Sequence, residues 1–106
     1  MNVSLRAEFE DLARAFLARH PTLRYEWHAR TGVGLGVRTD LVFPVAGERT
    51  EIWASAYDAQ IAVGSGEHHT DFEDWGRGWT DREVAQEALD YMVSLLLQNG
   101  RLEAPA

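Results

Sequence analysis

The chain of 106 residues has the size of a single domain, and 45% of its residues are hydrophobic, so it can bury a core without disulfide bonds. It contains neither cysteine nor lysine, which excludes disulfide scaffolds, thiolate metal sites and Schiff-base chemistry. Seventeen acidic residues against ten arginines give a net charge of −7, which argues against nucleic acid and anionic membranes as partners. We therefore expect one domain over residues 1–106, in a cytoplasmic protein without a cofactor.

The first predicted element is an amphipathic helix over residues 2–20. Its apolar side chains recur at three- and four-residue spacing and form one stripe, which consists of Leu5, Phe9, Leu12, Ala13, Phe16 and Leu17. Ser4 is the predicted N-cap, and Pro21 ends the helix.

Apolar and polar residues alternate from Leu23 onward, which predicts antiparallel strands. The expected strands cover residues 23–30, 33–43, 51–57 and 60–65. A two-residue turn at Asp58 and Ala59 fixes the register of the last two strands. It pairs Tyr57 with Gln60, Ala56 with Ile61, Ala54 with Val63 and Ile52 with Ser65.

A second helix follows, and its ends are marked clearly. Thr80 and Glu83 form a predicted capping box, and Asn99 with Gly100 is a typical C-terminal stop. We expect residues 101–106 to be a frayed tail. The predicted fold is an α+β two-layer sandwich, in which a four-stranded antiparallel meander carries the N- and C-terminal helices on one face.

Negative charge is concentrated between the last predicted strand and the last helix. Residues 67–90 contain eight acidic residues and two arginines, together with Phe72, Trp75 and Trp79. Such a loop suits a basic protein partner, because charge steers the encounter and tryptophans anchor it. The alternative is that the three aromatic side chains close the edge of the core beneath a solvated loop. The predicted partner contacts are His69, Asp71, Glu73, Asp74, Trp75 and Trp79.

Two adjacent histidines in this segment raise the question of a metal site. His68, His69 and Asp71 are residue types that bind divalent metals. In an extended chain, however, His68 and His69 point to opposite sides, and no metal-binding spacing of the HExxH or HxH type occurs. We expect no metal; if one is bound, its ligands are these three residues.

The outer face of the sheet, opposite the helices, is a further candidate. The predicted register places Trp53 and Tyr57 there, beside the small residues Ala62 and Gly64, where the glycine indicates close backbone packing. Arg24, His28, Arg30 and Arg38 are predicted on the same side. Two large aromatic residues on a free sheet face predict that a partner, a second subunit or the acidic loop covers it.

Residues 61–75 carry a resemblance to a known class of proteins. The run Ile61-Ala62-Val63-Gly64, then Glu67-His68-His69-Thr70-Asp71-Phe72-Glu73-Asp74-Trp75, then a capped helix, resembles the C-terminal half of small bacterial immunity-type proteins, which neutralise toxins. This chain departs from their histidine-bearing segment, because Asp71 replaces its second histidine and the extra histidine precedes His69. The resemblance implies a non-enzymatic cytosolic inhibitor that binds a toxin, often a nuclease, through acidic residues.

Together these features predict a non-enzymatic protein-binding module that occludes a basic partner through the acidic, aromatic-bearing loop. Two alternatives stay open. One is a metal-binding protein or small metal-dependent enzyme that uses His68, His69 and Asp71. The other is a homodimeric structural or chaperone-like module that associates through the outer face of the sheet, where His28, Arg38, Trp53 and Tyr57 lie.

Overall fold

Two helices and five strands make up the part of the chain that the computed structural model describes, which is residues 4–32, 36–47 and 49–102. In chain order they are α1 (Leu5–Ala18), β1 (Glu26–Gly32), β2 (Gly36–Phe43), β3 (Ile52–Ala56), β4 (Ile61–Ser65), β5 (His68–Phe72) and α2 (Asp81–Gln98). The predicted helix start at residue 2, part of the second strand at 33–35 and the tail from 103 onward lie outside the described residues.

The strands form one antiparallel sheet in the order β1-β2-β3-β4-β5. The register predicted for the central hairpin is confirmed, because Ala56 pairs with Ile61 and Ala54 with Val63. The Tyr57 amide closes the turn by donating to the Gln60 carbonyl over 2.8 Å.

The prediction of four strands was wrong by one strand. Residues 68–72, which we expected in the acidic loop, form β5 and pair with β4 along their whole length. The two-residue turn at Gly66 and Glu67 returns the chain, and Gly66 adopts the left-handed φ of 60° that favours glycine there. β5 is an edge strand with only Phe72 buried, so its sequence lacks the alternation that marks the other strands.

Both helices pack on the same face of the sheet, so the α+β two-layer class is confirmed. Between the layers lies one core, built from α1, α2 and the inward residues of β2 to β5. Its largest fully buried side chains are Phe9, Phe43, Leu41, Ile52, Ile61, Met92, Leu96, Val63 and Val84. Arg82 of α2 joins the helices by pairing with Glu8 and Asp11 of α1, each over 2.9 Å. Neither helix of the described chain is both long and apolar enough to cross a membrane.

The helix ends follow from capping side chains. The Ser4 hydroxyl accepts from the Ala7 amide, as predicted, and α1 ends at Ala18, two residues before the predicted end. Thr80 and Glu83 form the predicted capping box of α2, and Gly100 adopts the left-handed φ of 66° typical of a helix C-terminus.

The expected tail is held to the sheet where it follows α2. Arg101 donates to the Pro44 carbonyl over 2.6 Å and to the Thr50 carbonyl over 2.7 Å, and Leu102 packs against the core. The prediction of a frayed end was therefore wrong for these two residues, because carbonyls left free between β2 and β3 need donors. Partial burial and the nearby Arg49 lower the pKa of Arg101, although it stays charged at neutral pH.

Replacing Arg101 by alanine should lower the free energy of unfolding by about 1.5 kcal/mol, since several carbonyls lose a charged donor. Arg101→Lys should recover less than half of this loss, because one ammonium cannot reach carbonyls on both sides as the guanidinium fork does. Urea denaturation measures both. Arg19→Ala, at an exposed position after α1, is the matched control, and an equal loss there would contradict the anchoring role.

Candidate functional site

A cavity of about 660 Å³ opens on the outer face of the sheet. We call it the outer-face cavity; its lining consists of Arg38, Trp53, Ser55, Tyr57, Asp58, Ala59, Gln60, Ala62, His69 and Asp71. The cross-strand pair of Ser55 and Ala62 supplies a small-residue floor, and Trp53 and Tyr57 stand two positions to either side of Ser55 along the chain. The site thus exists because two large aromatic residues flank two small ones.

Trp53 is fixed in place by the strand beneath it. Its indole Nε1 donates to the Gly66 carbonyl over 3.0 Å. A Cβ atom at Gly64 would lie 2.8 Å from Cζ2 of Trp53 and would collide with the His68 carbonyl oxygen, so only glycine leaves room for the ring. The close backbone packing predicted at Gly64 is confirmed. His69 lies at the other side of the indole, with the ring centroids 5.8 Å apart.

Arg38 belongs to a charge cluster that the protein neutralises internally. Asp40, only 7% exposed, lies 3.3 Å from Arg38 Nε and 3.2 Å from Arg30 Nε. Arg38 also donates to the Tyr57 hydroxyl over 3.1 Å. This hydrogen bond and the charge of Asp40 raise the pKa of Arg38, against the opposing effect of burial. One carboxylate therefore holds two guanidinium groups together.

His69 and Asp71 reach the outer-face cavity because β5 is a strand. Alternate residues of a strand face opposite sides, and His69 and Asp71 pair with Gly64 and Ala62 of β4. His69 Nε2 lies 3.5 Å from Asp71 Oδ1. His68 falls on the helix side, so the three residues considered as metal ligands do not converge. Within the described ranges, no group of three or more metal-binding side chains is arranged to hold an ion.

A second, shallower cavity of about 440 Å³ continues along the same face toward β1. It shares Arg38, Trp53 and Ser55 with the outer-face cavity. His28, predicted on this face, lines the second cavity, where its Nε2 lies 3.0 Å from Glu26 Oε1. The four outer-face residues of the prediction therefore do share one face, but His28 sits apart from the aromatic walls.

The remaining predicted contacts lie in the connection between β5 and α2. We call residues 75–79 the tryptophan turn; their sequence is Trp75-Gly76-Arg77-Gly78-Trp79. Arg77 braces the turn from inside, with its guanidinium carbon 3.7 Å from the Trp79 ring centroid and 5.4 Å from that of Trp75. It also bonds to Glu87 of α2 through two nitrogens, at 3.2 and 3.3 Å.

The backbone before the turn is held in the same way. Arg77 donates to the Glu73 carbonyl over 3.0 Å and to the Asp74 carbonyl over 3.1 Å. The Asp74 carboxylate accepts from the Trp79 amide over 2.7 Å. Asp74 is therefore a structural residue of the turn as well as a source of negative charge.

No protein-family model, curated protein or solved structure matches this chain. The function must therefore be argued from the geometry.

Both tryptophans of the turn are on the surface, whereas Phe72 belongs to the core. Trp75 is 58% exposed and Trp79 is 36% exposed. Trp75 also has a left-handed φ of 49°, and among the described residues other than glycine it is alone in this. The interpretation that all three aromatic residues close the core was therefore wrong, since the chain leaves the sheet directly after Phe72.

Sequence reasoning missed several residues of these sites. Ser55, Asp58 and Gln60 line the outer-face cavity, and Arg77 organises the tryptophan turn. For Ser55 a signal was present, because it alternates with Trp53 and is thus outward. For Arg77 the signal was its position between two glycines and two tryptophans, but its partner Glu87 lies ten residues away.

Proposed function

We propose that this protein is a cytoplasmic, non-enzymatic protein-binding module that recognises a basic partner through the tryptophan turn and the carboxylates around it. The observation that carries the proposal is the exposed Trp75, held in a left-handed backbone conformation by a braced turn. Such a conformation costs a non-glycine residue about 1–3 kcal/mol and persists where surrounding contacts fix it. The location of the tryptophan is thus specified by the fold.

A pre-organised tryptophan is well suited to anchor a partner. Interface hot spots are enriched in tryptophan, and binding is stronger when an anchor loses little conformational freedom. Arg77 restricts both neighbouring indoles before any partner arrives. Trp75 therefore offers apolar area at a small entropic cost.

Charge supplies the other half of the argument. The arginines of residues 67–90 are both engaged by carboxylates, Arg77 by Glu87 and Arg82 by Glu8 and Asp11. The surrounding surface consequently stays negative. A field of this sign accelerates association with a basic surface and repels anionic ligands.

The resemblance of residues 61–75 to immunity-type proteins supports a more specific form of the proposal. In this form the partner is a toxin that binds an anionic ligand, and the carboxylates of this protein occupy that ligand's position. The contacts we propose are His69, Asp71, Glu73, Asp74, Trp75 and Trp79. Asp74 contributes through its charge, because its carboxylate already accepts from the Trp79 amide.

The variant Trp75→Asn tests the anchor without disturbing the fold. Asparagine tolerates the left-handed conformation, and position 75 is exposed, so we expect the free energy of unfolding to change by less than about 0.5 kcal/mol. Affinity capture from the source cell's lysate at low salt should recover a basic protein with the wild type and at least tenfold less with Trp75→Asn. The recovered amount should fall as salt is raised.

Val45→Asn is the matched control, since Val45 is 65% exposed elsewhere on the surface. It should capture the partner as the wild type does. Recovery of the same basic protein by all three proteins in equal amounts would contradict the role of Trp75. Recovery of no basic protein by the wild type would contradict the proposed function itself.

A further inference from the structure

We propose that the outer-face cavity binds an arginine side chain of a protein partner, with the guanidinium stacked on Trp53 and paired with Asp71. The inference deepens the proposed function, on which it rests for the basic nature of the partner. The site itself is separate from the tryptophan turn, because it lies on the sheet and uses β3, β4 and β5.

The shape of the cavity favours a long, flat side chain. Its volume of about 660 Å³ exceeds that of any single side chain, and its floor of Ser55 and Ala62 leaves depth between the walls of Trp53 and Tyr57. The Trp53 indole is already immobilised by Gly64 below and by its hydrogen bond to Gly66. A planar cation that stacks on such a ring gains about 0.5–2 kcal/mol.

The charge of the lining selects a cation. Two carboxylates, Asp58 and Asp71, line the cavity against the single guanidinium of Arg38. Asp40 already balances Arg38, and Arg6 balances Asp58 over 3.1 Å. In the described part of the chain, the ion pairs of Asp71 include His69 but no arginine. Asp71 is therefore the carboxylate to which an incoming cation would add most.

Guanidinium fits this arrangement better than ammonium does. Its planar fork can bond to both oxygens of a carboxylate while its face stacks on an aromatic ring. The Ser55 hydroxyl and the Gln60 amide oxygen line the same cavity and can accept its remaining N–H groups. The Asp71 side chain is 44% exposed, so a partner side chain can reach it.

The test is an NMR titration of the full-length protein with N-acetyl-arginine amide, followed through the backbone amides of Ser55, Ala62 and Asp71. We expect saturable shifts with a dissociation constant on the order of 1 mM, as for a small ligand with few contacts. N-acetyl-citrulline amide, which is nearly isosteric but uncharged, should bind at least tenfold more weakly. N-acetyl-lysine amide should lie between the two.

Asp71→Asn should weaken the arginine probe about tenfold while the protein stays folded, because the substitution keeps the side chain's size at a half-exposed position. Asp90→Asn makes the same chemical change on the exposed face of α2 and should leave the affinity unchanged. Equal weakening by both variants would overturn the proposal, since it would show that only net charge matters.

Three other results would also overturn it. The first is the absence of shifts in the cavity with the arginine probe. The second is equal binding of the citrulline probe. The third is tighter binding of N-acetyl-aspartate amide, which would show that Arg38 makes the cavity an anion site. A stable dimer by sedimentation, with the cavity closed to the probe, would identify a second copy of the chain as the occupant instead.

The result is independent of the capture experiment with Trp75→Asn. A basic partner lost on Trp75→Asn, together with no probe binding, would refute the arginine site and leave the proposed function standing. Probe binding lost on Asp71→Asn, without any captured basic protein, would establish the arginine site and refute the proposed function.

Discussion

Replacing Gly64 by alanine is expected to destabilise the protein by about 3 kcal/mol, a large effect for one added methyl group. The new Cβ would meet the His68 carbonyl, the His69 Cβ at 2.8 Å and the Trp53 ring at 2.8 Å. Two of these neighbours belong to the paired strand β5 and cannot swing away as a flexible side chain would. The variant should therefore either loosen β5 or expel Trp53 from its position over β4.

Urea denaturation gives the size of the effect, and the backbone amide spectrum shows whether β5 detaches. Gly76→Ala is the informative comparison, because its Cβ would meet open space while its φ of 76° is unfavourable for alanine. That variant should lose only about 1–2 kcal/mol. Combining Gly64→Ala with Trp53→Val should restore little stability, since the collision with the backbone persists. Full recovery in the double variant would contradict the argument.

Removing the carboxylate of Asp40 should cost nearly as much, about 2–3 kcal/mol in Asp40→Ala. Breaking a fully buried ion pair typically costs about 3–5 kcal/mol, and the partial exposure of the two arginines reduces this value. Arg30 and Arg38 are directly opposite each other on β1 and β2. Without Asp40 their like charges repel across the strands.

Three measurements separate this effect from simple loss of packing. Raising the salt concentration should stabilise Asp40→Ala relative to the wild type, because the repulsion is screened. Adding Arg30→Thr to Asp40→Ala should recover part of the loss. Asp58→Asn, whose carboxylate is 61% exposed and pairs with Arg6, should lose at most about 0.5 kcal/mol. An Asp40→Ala variant no less stable than Asp58→Asn would contradict the role of the cluster.

Local sequence signals were sufficient for the elements that depend on neighbouring residues. The β3–β4 register follows from one two-residue turn and one alternating pattern, and both lie within 14 residues. The start of α2 depends on Thr80 and Glu83, three residues apart. In such cases the hydrogen bonds that decide the structure form between residues close in the chain, so the sequence pattern carries the information.

β5 was missed because its formation depends on backbone pairing with β4 and not on side-chain burial. His68, His69 and Thr70 are all exposed, so no apolar periodicity marks them. Consequently, the placement of His69 and Asp71 beside Trp53 could not be foreseen. Sequence reasoning treated the acidic segment and the outer face as two candidate sites, whereas the strand divides the segment between the outer-face cavity and the tryptophan turn.

The neighbour-to-neighbour order of the strands also determines where the chain entropy opposes folding. Every pairing in the sheet closes a short loop, because each strand pairs with the next one along the chain. By contrast, the ion pair between Glu8 and Arg82 joins residues 74 positions apart. In kinetic terms, β-sheets are usually the slow, long-range part of a fold, while helices form locally. Here the assignment is reversed, since the sheet can form by successive hairpins and the docking of α1 is the long-range step.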